Sequence, residues 1–344
     1  GATCVGLAGK IGSTDKLKFD VVIVDEAGRS TVPELLIPIN RARKLILIGD
    51  HFQLPPSIAP LLREDEAKEE LSFIEEEFLE TSFFERLYES LPEQCKTRLE
   101  EQFRMPVPIG DLVANMFYTI EGERRLFNGR VKCDCKLLFQ GEETIQWVDV
   151  KGKQDSPRNS TSLNNEREAY QIVAFIEATS KYLKGSIKNR PSCGCKEFEI
   201  NESGDVLKSV AVITPYGEQK RLLRSLLEKH KGVVRSNEDR NSFILGNLRI
   251  RIDTVDSFQG SEADLVLYSV VRTYGNLRFI LDWKRLNVAC SRAKENLVFF
   301  GHKSFLSNWK PKIHERNLFG EIIDLLEGNK KENTEIKETE VEVF

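Results

Sequence analysis

The chain has 344 residues, 40% hydrophobic and 30% charged, with a formal net charge of −4. That is room for two domains of ordinary size, each with its own core. No apolar run approaches the length of a membrane span, and no basic segment followed by an apolar core opens the chain. No membrane partner is therefore expected, and the protein reads as intracellular, cytoplasmic and nuclear sites being equally open. The acidic balance argues against gripping nucleic acid by global charge and leaves a local basic groove open.

The chain begins at Gly1 rather than Met, so a fragment or a processed protein is expected. Residues 1–11 read as a short extended opening. Gly9-Lys10 looks like the end of a phosphate-binding loop, but that motif needs a glycine where Cys4 stands and a Ser or Thr where Ile11 stands. With no other candidate loop, any triphosphate cradle is expected outside this chain. Phe19 to Gly28 follows, in which Val21 to Val24 form an uninterrupted β-prone run, the pattern of a strand buried on both faces of a parallel sheet. The run stops at Asp25-Glu26, at the strand edge where open α/β sheets bind ligands. There Asp25 suits a magnesium ion and Glu26 suits polarising a water for attack on a phosphoryl group. A solvated acidic turn is the alternative.

Residues 31–37 predict a short helix with Pro33 in its first turn. Lys44 to Asp50 predicts a second buried strand that also ends in an acid, and Gln53 follows on a loop stiffened by Pro55 and Pro56. Two such strands place Glu26 and Gln53 on one edge, where Gln53 is suited to orient a water or touch a terminal phosphate. Residues 64–80 read as a charged helical insertion and residues 82–87 as a helix with an apolar stripe. In Leu99 to Met105, an Arg beside an aromatic is either a nucleotide clamp or a surface arginine. Residues 144–150 predict a strand and 166–184 an amphipathic helix. Strand, turn and helix recur at 210–229, and further strands are expected at 250–256, 264–271 and 295–301, which together make a second parallel-sheet domain. Beyond Leu326 the chain turns to Glu, Lys, Asn and Thr, and residues 319–344 are expected to form a disordered charged tail.

Read in order, Gly49-Asp50, Gln102 to Met105, Ser257-Phe-Gln-Gly-Ser-Glu262 and Arg285 to Lys294 form a specific series. It resembles the superfamily 1 helicases of the up-frameshift and senataxin group, from about Gly1 to Gly301. The resemblance implies an α/β fold of RecA-like parallel sheets. Residues 1–95 would be part of a first RecA-like domain, and residues 96–318 a complete second one. It also implies ATP bound with Mg2+ between the domains, and 5′ to 3′ movement on single-stranded RNA or DNA. In that frame Asp25 and Glu26 look like the magnesium ligand and catalytic base, and Gln53 like the residue that senses the terminal phosphate. Phe103 replaces the usual tyrosine near the base, while Arg104 and Arg292 are similar to the two arginine fingers. Such fingers contribute roughly 10³ to 10⁵ in rate. Gln259 and Gly260 belong to the nucleotide-binding motif whose Glu262 meets the ribose. Thr3, Thr214 and Thr254 stand where the group contacts the phosphates of the strand.

Two departures matter. The family's phosphate loop with its lysine would precede Gly1, so this chain alone is expected to bind ATP poorly and to be inactive. Pro106-Val107-Pro108 replaces the usual His-Pro, which leaves the local turn open. The seven cysteines are odd in number and make no disulfide framework. Cys133, Cys135, Cys193 and Cys195 form two Cys-x-Cys pairs outside the family pattern. They are read either as ordinary thiols or, since zinc knuckles are usually Cys-x-x-Cys, less readily as a Zn2+ site. The alternative to a motor is a non-catalytic nucleic-acid-binding or scaffold module derived from a helicase.

Overall fold

A computed structural model of the chain describes residues 1–11, 18–56, 82–129, 143–157, 160–186, 199–200, 206–236, 239, 241–312 and 315–328. The chain forms two units, Gly1–Leu99 and Glu100–Phe344. Residues between the expected boundary at 95 and Leu99 fasten onto the first unit. Arg98 Nε donates to the Tyr88 hydroxyl at 2.7 Å, and Lys96 pairs with Glu93 at 3.1 Å.

In the first unit the opening residues form a helix, α1 (Cys4–Ile11), where an extended segment was expected. The Thr3 hydroxyl supplies the reason by accepting the Gly6 N–H at 3.0 Å, an N-cap on a free helix end. Strand β1 (Phe19–Val24) leads through α2 (Val32–Ile39) to β2 (Ala42–Leu47), and α3 (Phe83–Ser90) follows. Glu34 starts α2 by accepting from both the Thr31 N–H at 2.8 Å and its hydroxyl at 3.0 Å. Ser82 caps α3 through the Glu85 N–H at 3.1 Å. β1 and β2 pair in parallel, with Val21 opposite Lys44 and Val24 opposite Leu47.

The expectation that these strands are buried on both faces is not met. Val22, Val24, Leu45 and Leu47 pack with Leu35 and Phe84, but Val21, Ile23 and Ile46 are 49%, 61% and 48% exposed. Among the described residues the sheet has only these two strands, and the elements that pack on it cover a single face.

The second unit opens with β3 (Glu101–Gln102), α4 (Val107–Phe117), β4 (Thr119–Ile120), β5 (Glu123–Arg124) and β6 (Phe127–Asn128). Pro106 and Pro108 resolve the open turn, since Pro106 is the N-cap of α4 and Pro108 sits in its first turn, where a missing N–H costs nothing. Then come β7 (Ile145–Asp149), α5 (Glu166–Ser186), β8 (Glu199–Ile200), β9 (Val206–Thr214), α6 (Gly217–Lys229), β10 (Val233–Arg235), β11 (Ser242–Leu245) and β12 (Leu248–Thr254). The unit closes with α7 (Val255–Phe258), β13 (Ala263–Ser269), α8 (Trp283–Cys290), β14 (Ala293–Gly301), α9 (Lys303–Asn308) and a last helix, α10, at 318–328.

The main sheet runs β10-β11-β12-β9-β13-β14-β7, with β8 paired to the start of β9. The strands from β12 to β7 are parallel, while β10 and β11 add an antiparallel edge. Central β9 is buried on both faces from Val210 to Ile213, as expected of an inner parallel strand. Helices α5 and α6 cover one face, where Ala169, Ile172, Ile176, Leu223 and Leu227 meet Val210, Val212, Leu265 and Leu267. Helix α8 packs against α4 and α7, and Phe299 stacks on Trp147 at 5.3 Å and meets Tyr268 edge-on at 5.8 Å.

The expected disordered tail from residue 319 is corrected at its start. Leu318, Phe319, Ile322 and Ile323 of α10 are at most 3% exposed, and Phe319 sits against Trp147 and Tyr268. Residues 329–344 and the expected insertion at 64–80 lie outside the described residues.

Candidate nucleotide and nucleic-acid sites

Because β1 and β2 are parallel and in register, their carboxyl ends emerge side by side. The ladder continues past both strands, with Ile48 N–H on Val24 O and Ala27 N–H on Ile48 O, each at 2.8 Å. Between these bonds Glu26 takes a left-handed backbone, φ 53° and ψ 35°, a conformation disfavoured for a residue with a Cβ. The Asp25 carboxylate accepts the Glu26 N–H at 2.9 Å, and both acids are exposed. The two strand-end turns touch, so that a Cβ on Gly49 would meet the Gly28 nitrogen at 2.9 Å. Asp50 then organises the next turn, accepting from Phe52 N–H at 2.9 Å and from Gln53 Nε2 at 2.8 Å. The first unit thus gathers Asp25, Glu26 and Gln53 on one sheet edge.

Asp25 fits a hard cation, being an exposed carboxylate at a strand end. Among the described residues no three His, Cys, Asp or Glu side chains converge. A magnesium ion here would rest on Asp25, its own waters and the substrate's phosphates, the way Mg2+ is usually held.

In the second unit, Arg104 Nε donates to Glu262 at 2.9 Å and Arg104 Nη1 donates to the Ser291 carbonyl at 3.2 Å. Lys294 lies 3.6 Å from Glu262 and 3.5 Å from Asp264. Burial works against the Lys294 charge, but these two carboxylates outweigh it and hold its pKa above the ordinary lysine value. Phe103 is 64% exposed, and its ring lies over Gly129, where an added Cβ would come within 2.5 Å of it. Gln259 is buried, and Gly260 takes φ 77°, a turn that favours glycine.

Arg292, the other expected finger, is folded into the protein in this structure. It is 2% exposed, and its guanidinium donates to Val288 O at 3.0 Å, Ser261 O at 3.2 Å and Ser291 Oγ at 2.9 Å. A charged group this buried is stable only with such partners.

These residues share one edge of the second sheet, since Glu262 immediately precedes β13 and Arg292 immediately precedes β14. Thr214 and Thr254 end β9 and β12 at the opposite edge, a separation of roughly 20 Å for seven-residue β13. The three residues expected to contact the strand are differently placed. Thr214 is 0% exposed, and its hydroxyl accepts the Tyr216 N–H at 3.4 Å. The Thr3 hydroxyl is taken by the α1 cap. Thr254 is half-buried, with its hydroxyl 3.5 Å from Ser257 Oγ. Cys133, Cys135, Cys193 and Cys195 lie outside the described residues, and Cys4, Cys95 and Cys290 are free thiols.

The structure adds a buried network that the sequence reading did not single out. Glu168 Oε1 accepts from the Ser269 hydroxyl at 2.6 Å and from the Val271 N–H at 3.0 Å. Gln219 donates to Ser269 at 3.0 Å and accepts from the Asn165 N–H at 2.8 Å, while Asn165 Nδ2 donates to Val271 O at 3.3 Å. The sequence held a signal, because Glu168 stands four residues before Ile172 on the apolar stripe of α5.

Two family profiles, each described as an AAA domain, match residues 1–59 and 79–304. An uncharacterized ATP-dependent helicase of Methanocaldococcus jannaschii is 31% identical over 312 residues, covering 85% of this chain and 37% of that protein. A regulator of nonsense transcripts 1 homolog of Drosophila melanogaster is 30% identical over 335 residues, 95% of this chain and 24% of the relative. The DNA replication ATP-dependent helicase/nuclease dna2 of Schizosaccharomyces pombe is 29% identical over 330 residues, 92% and 20% respectively. The chain thus spans between a fifth and two-fifths of the length of these relatives. Among the described residues no helix is long and apolar enough to cross a membrane. With two AAA profiles in order over most of its length and relatives at this identity, the chain belongs to the superfamily 1 helicases of the up-frameshift-like group.

Proposed function

We propose that this chain is the motor part of an ATP-driven helicase or translocase that moves 5′ to 3′ on single-stranded RNA or DNA. The observation that carries the reading is the edge formed by β1 and β2. Two exposed acids at one strand end, with Glu26 in a left-handed turn, stand beside a second strand end whose Asp50 holds Gln53 in place. Strained backbone of this kind concentrates at functional sites. In this reading Asp25 holds the magnesium that steadies the triphosphate. Glu26 accepts the proton of the attacking water, and Gln53 orients that water. Arg104 and Arg292 neutralise charge on the phosphoryl group in flight, each exchanging its present partners for phosphate oxygens. Phe103 offers an exposed ring to the base, and Gln259, Gly260 and Glu262 face the nucleotide. Thr254 contacts the strand. The division into a partial first and a complete second RecA-like domain belongs to the same reading. So does the expectation that this chain alone binds ATP poorly and is inactive, its phosphate loop being expected outside it.

The test is ATP turnover with and without single-stranded RNA and DNA, on this chain and on a form carrying whatever natural sequence precedes Gly1. Turnover is expected in the longer form, stimulated by the strand. Glu26→Gln is expected to lower it about 10²- to 10⁴-fold, the usual contribution of a general base, while leaving ATP binding intact. Turnover that survives Glu26→Gln removes the catalytic assignment. A longer form that binds strands but never hydrolyses ATP favours the non-catalytic module.

A further inference from the structure

At its carboxyl edge the second sheet has a topological switch point. β9 leads into α6 on one face, while its neighbour β13 leads into residues 270–282 and then α8, which packs with α4 and α7 rather than with the α5 and α6 layer. Adjacent parallel strands whose connections leave toward opposite faces open a crevice at their carboxyl ends, the usual ligand position in open α/β sheets. The segment that leaves β13 there is built unusually firmly. Val271 takes φ 72°, left-handed and disfavoured for a β-branched residue. Its N–H is held by buried Glu168 and its carbonyl by buried Asn165. Gln154 Oε1 accepts from the Thr273 N–H at 2.8 Å and the Tyr274 N–H at 3.3 Å, and Gln154 N–H donates to Thr273 Oγ1 at 3.1 Å. Leu277 and Ile280 are 0% and 2% exposed and anchor the middle of the segment.

Against these anchors three rings turn outward. Tyr274, Phe279 and Trp283 are 54%, 46% and 38% exposed, a dense display of aromatic surface for one short segment. Cations and rings alternate along it. Arg272 lies over Tyr216 at 5.9 Å and donates to its hydroxyl at 2.8 Å. Tyr216 touches Phe279 at 5.4 Å, Arg285 lies over Phe279 at 4.9 Å, and Lys284 over Trp283 at 5.5 Å. Residues 272–285 carry four basic side chains against one acid in a chain whose net charge is −4. Some of that charge is committed, since Arg278 pairs with Glu315 at 3.0 Å and Arg285 lies 3.7 Å from Asp282.

We propose that Tyr274, Phe279 and Trp283 form a base-stacking platform for single-stranded nucleic acid at the β9/β13 switch point. This deepens the proposed function and rests on it. Rigid aromatic faces beside cations are what a sequence-tolerant single-strand site requires, because every base offers a π-face and the backbone supplies the charge. A folded protein partner would need a broader apolar patch. Here the outward apolar surface consists of separate rings ringed by cations. With part of the basic charge already paired, the rings carry the larger share of the binding. The platform therefore reads bases rather than phosphates alone.

The experiment is fluorescence anisotropy with labelled oligothymidylate, oligouridylate and an abasic strand of equal length, titrated with the full chain and with the single variants Tyr274→Ala, Phe279→Ala and Trp283→Ala. Each alanine variant is expected to weaken binding of base-bearing strands by about fivefold to a hundredfold, in line with the loss of one stacked base. The slope of affinity against salt is expected to stay unchanged, because no phosphate contact is removed. The abasic strand, which removes every base at once, is expected to bind the wild-type chain at least as weakly as base-bearing strands bind the alanine variants. Tyr274→Phe and Trp283→Phe keep a ring and are expected to retain most of the affinity, which separates stacking from a folding defect. Wild-type affinity in all three alanine variants, or equal wild-type affinity for abasic and base-bearing strands, overturns the platform and leaves the motor reading standing. A wild-type chain that binds none of the three strands overturns both.

Discussion

Glu26 takes a left-handed backbone itself and Glu168 holds one in another residue, and their surroundings differ as sharply. Glu26 is exposed and supplies its own left-handed φ. Glu168 is wholly buried and holds the left-handed Val271 from outside. Burial pushes the Glu168 carboxyl up to about 8 from an ordinary 4.5, against the opposing hydrogen bonds from Ser269 and Val271. The folded protein therefore holds a proton there that the unfolded chain releases near pH 4.5. The corresponding stability is complete below that pH and is lost as pH rises through about 8. Urea unfolding followed from pH 5 to 8 is expected to give a falling stability for the wild type and a flatter profile for Glu168→Gln. An unchanged slope in that variant places the linkage on another group. None of this is legible at Glu168 itself, because a sequence gives the residue its position on a helix stripe and not the depth of its burial.

At the scale of elements, the two turns after β1 and β2 position the candidate chemistry by contact between glycines. The Gly49 position leaves no room for a Cβ beside the Gly28 nitrogen and the Phe84 ring, at 2.9 and 3.2 Å. Gly49→Ala is expected to push the turns apart and destabilise the first unit by about 1–3 kcal/mol, the range for forcing extra volume into a packed site. Denaturant midpoints compared with a substitution at the open Gly1 position check it. The pairing of β1 with β2 was readable from two apolar runs that each lead to an acid, though Val24 stands opposite Leu47, three residues before Asp50. Burial was not, since Val21, Ile23 and Ile46 present the composition of an inner strand on a face that the described residues leave open. In the second unit the parallel strands were legible from their apolar runs. The antiparallel β10–β11 edge escaped because its strands are short and their pairing is decided by the neighbour β12.

For the molecule as a whole, the two units keep separate cores. The second is closed by a helix that composition alone assigned to a tail. Phe319 of α10 is fully buried beside Trp147 and Tyr268. Phe319→Ala is expected to destabilise this unit by about 3–5 kcal/mol, read as a drop in the unfolding midpoint by near-ultraviolet circular dichroism. A drop below 1 kcal/mol would mean that α10 is held elsewhere. The two edges of the second sheet also carry different sets of residues. The residues expected to face nucleotide collect where β13 and β14 begin, and Thr214, Thr254 and the aromatic segment collect where β9, β12 and β13 end.

The sequence by itself determined the α/β class, the order of the motifs, the family they resemble and the carboxylates at the ends of β1 and β2. Those signals are local, since a strand length, an acid after it and a spacing between motifs survive without any knowledge of packing. Only the tertiary structure decided that Thr214 is buried, that the Arg292 guanidinium is folded onto the carbonyls of Val288 and Ser261, and that Thr3 serves a cap. It alone brought Glu168 to Val271 across 103 residues of sequence and set Tyr216 against Phe279. Each of these depends on which distant segment lies alongside, a matter of chain topology and close packing that no local pattern records.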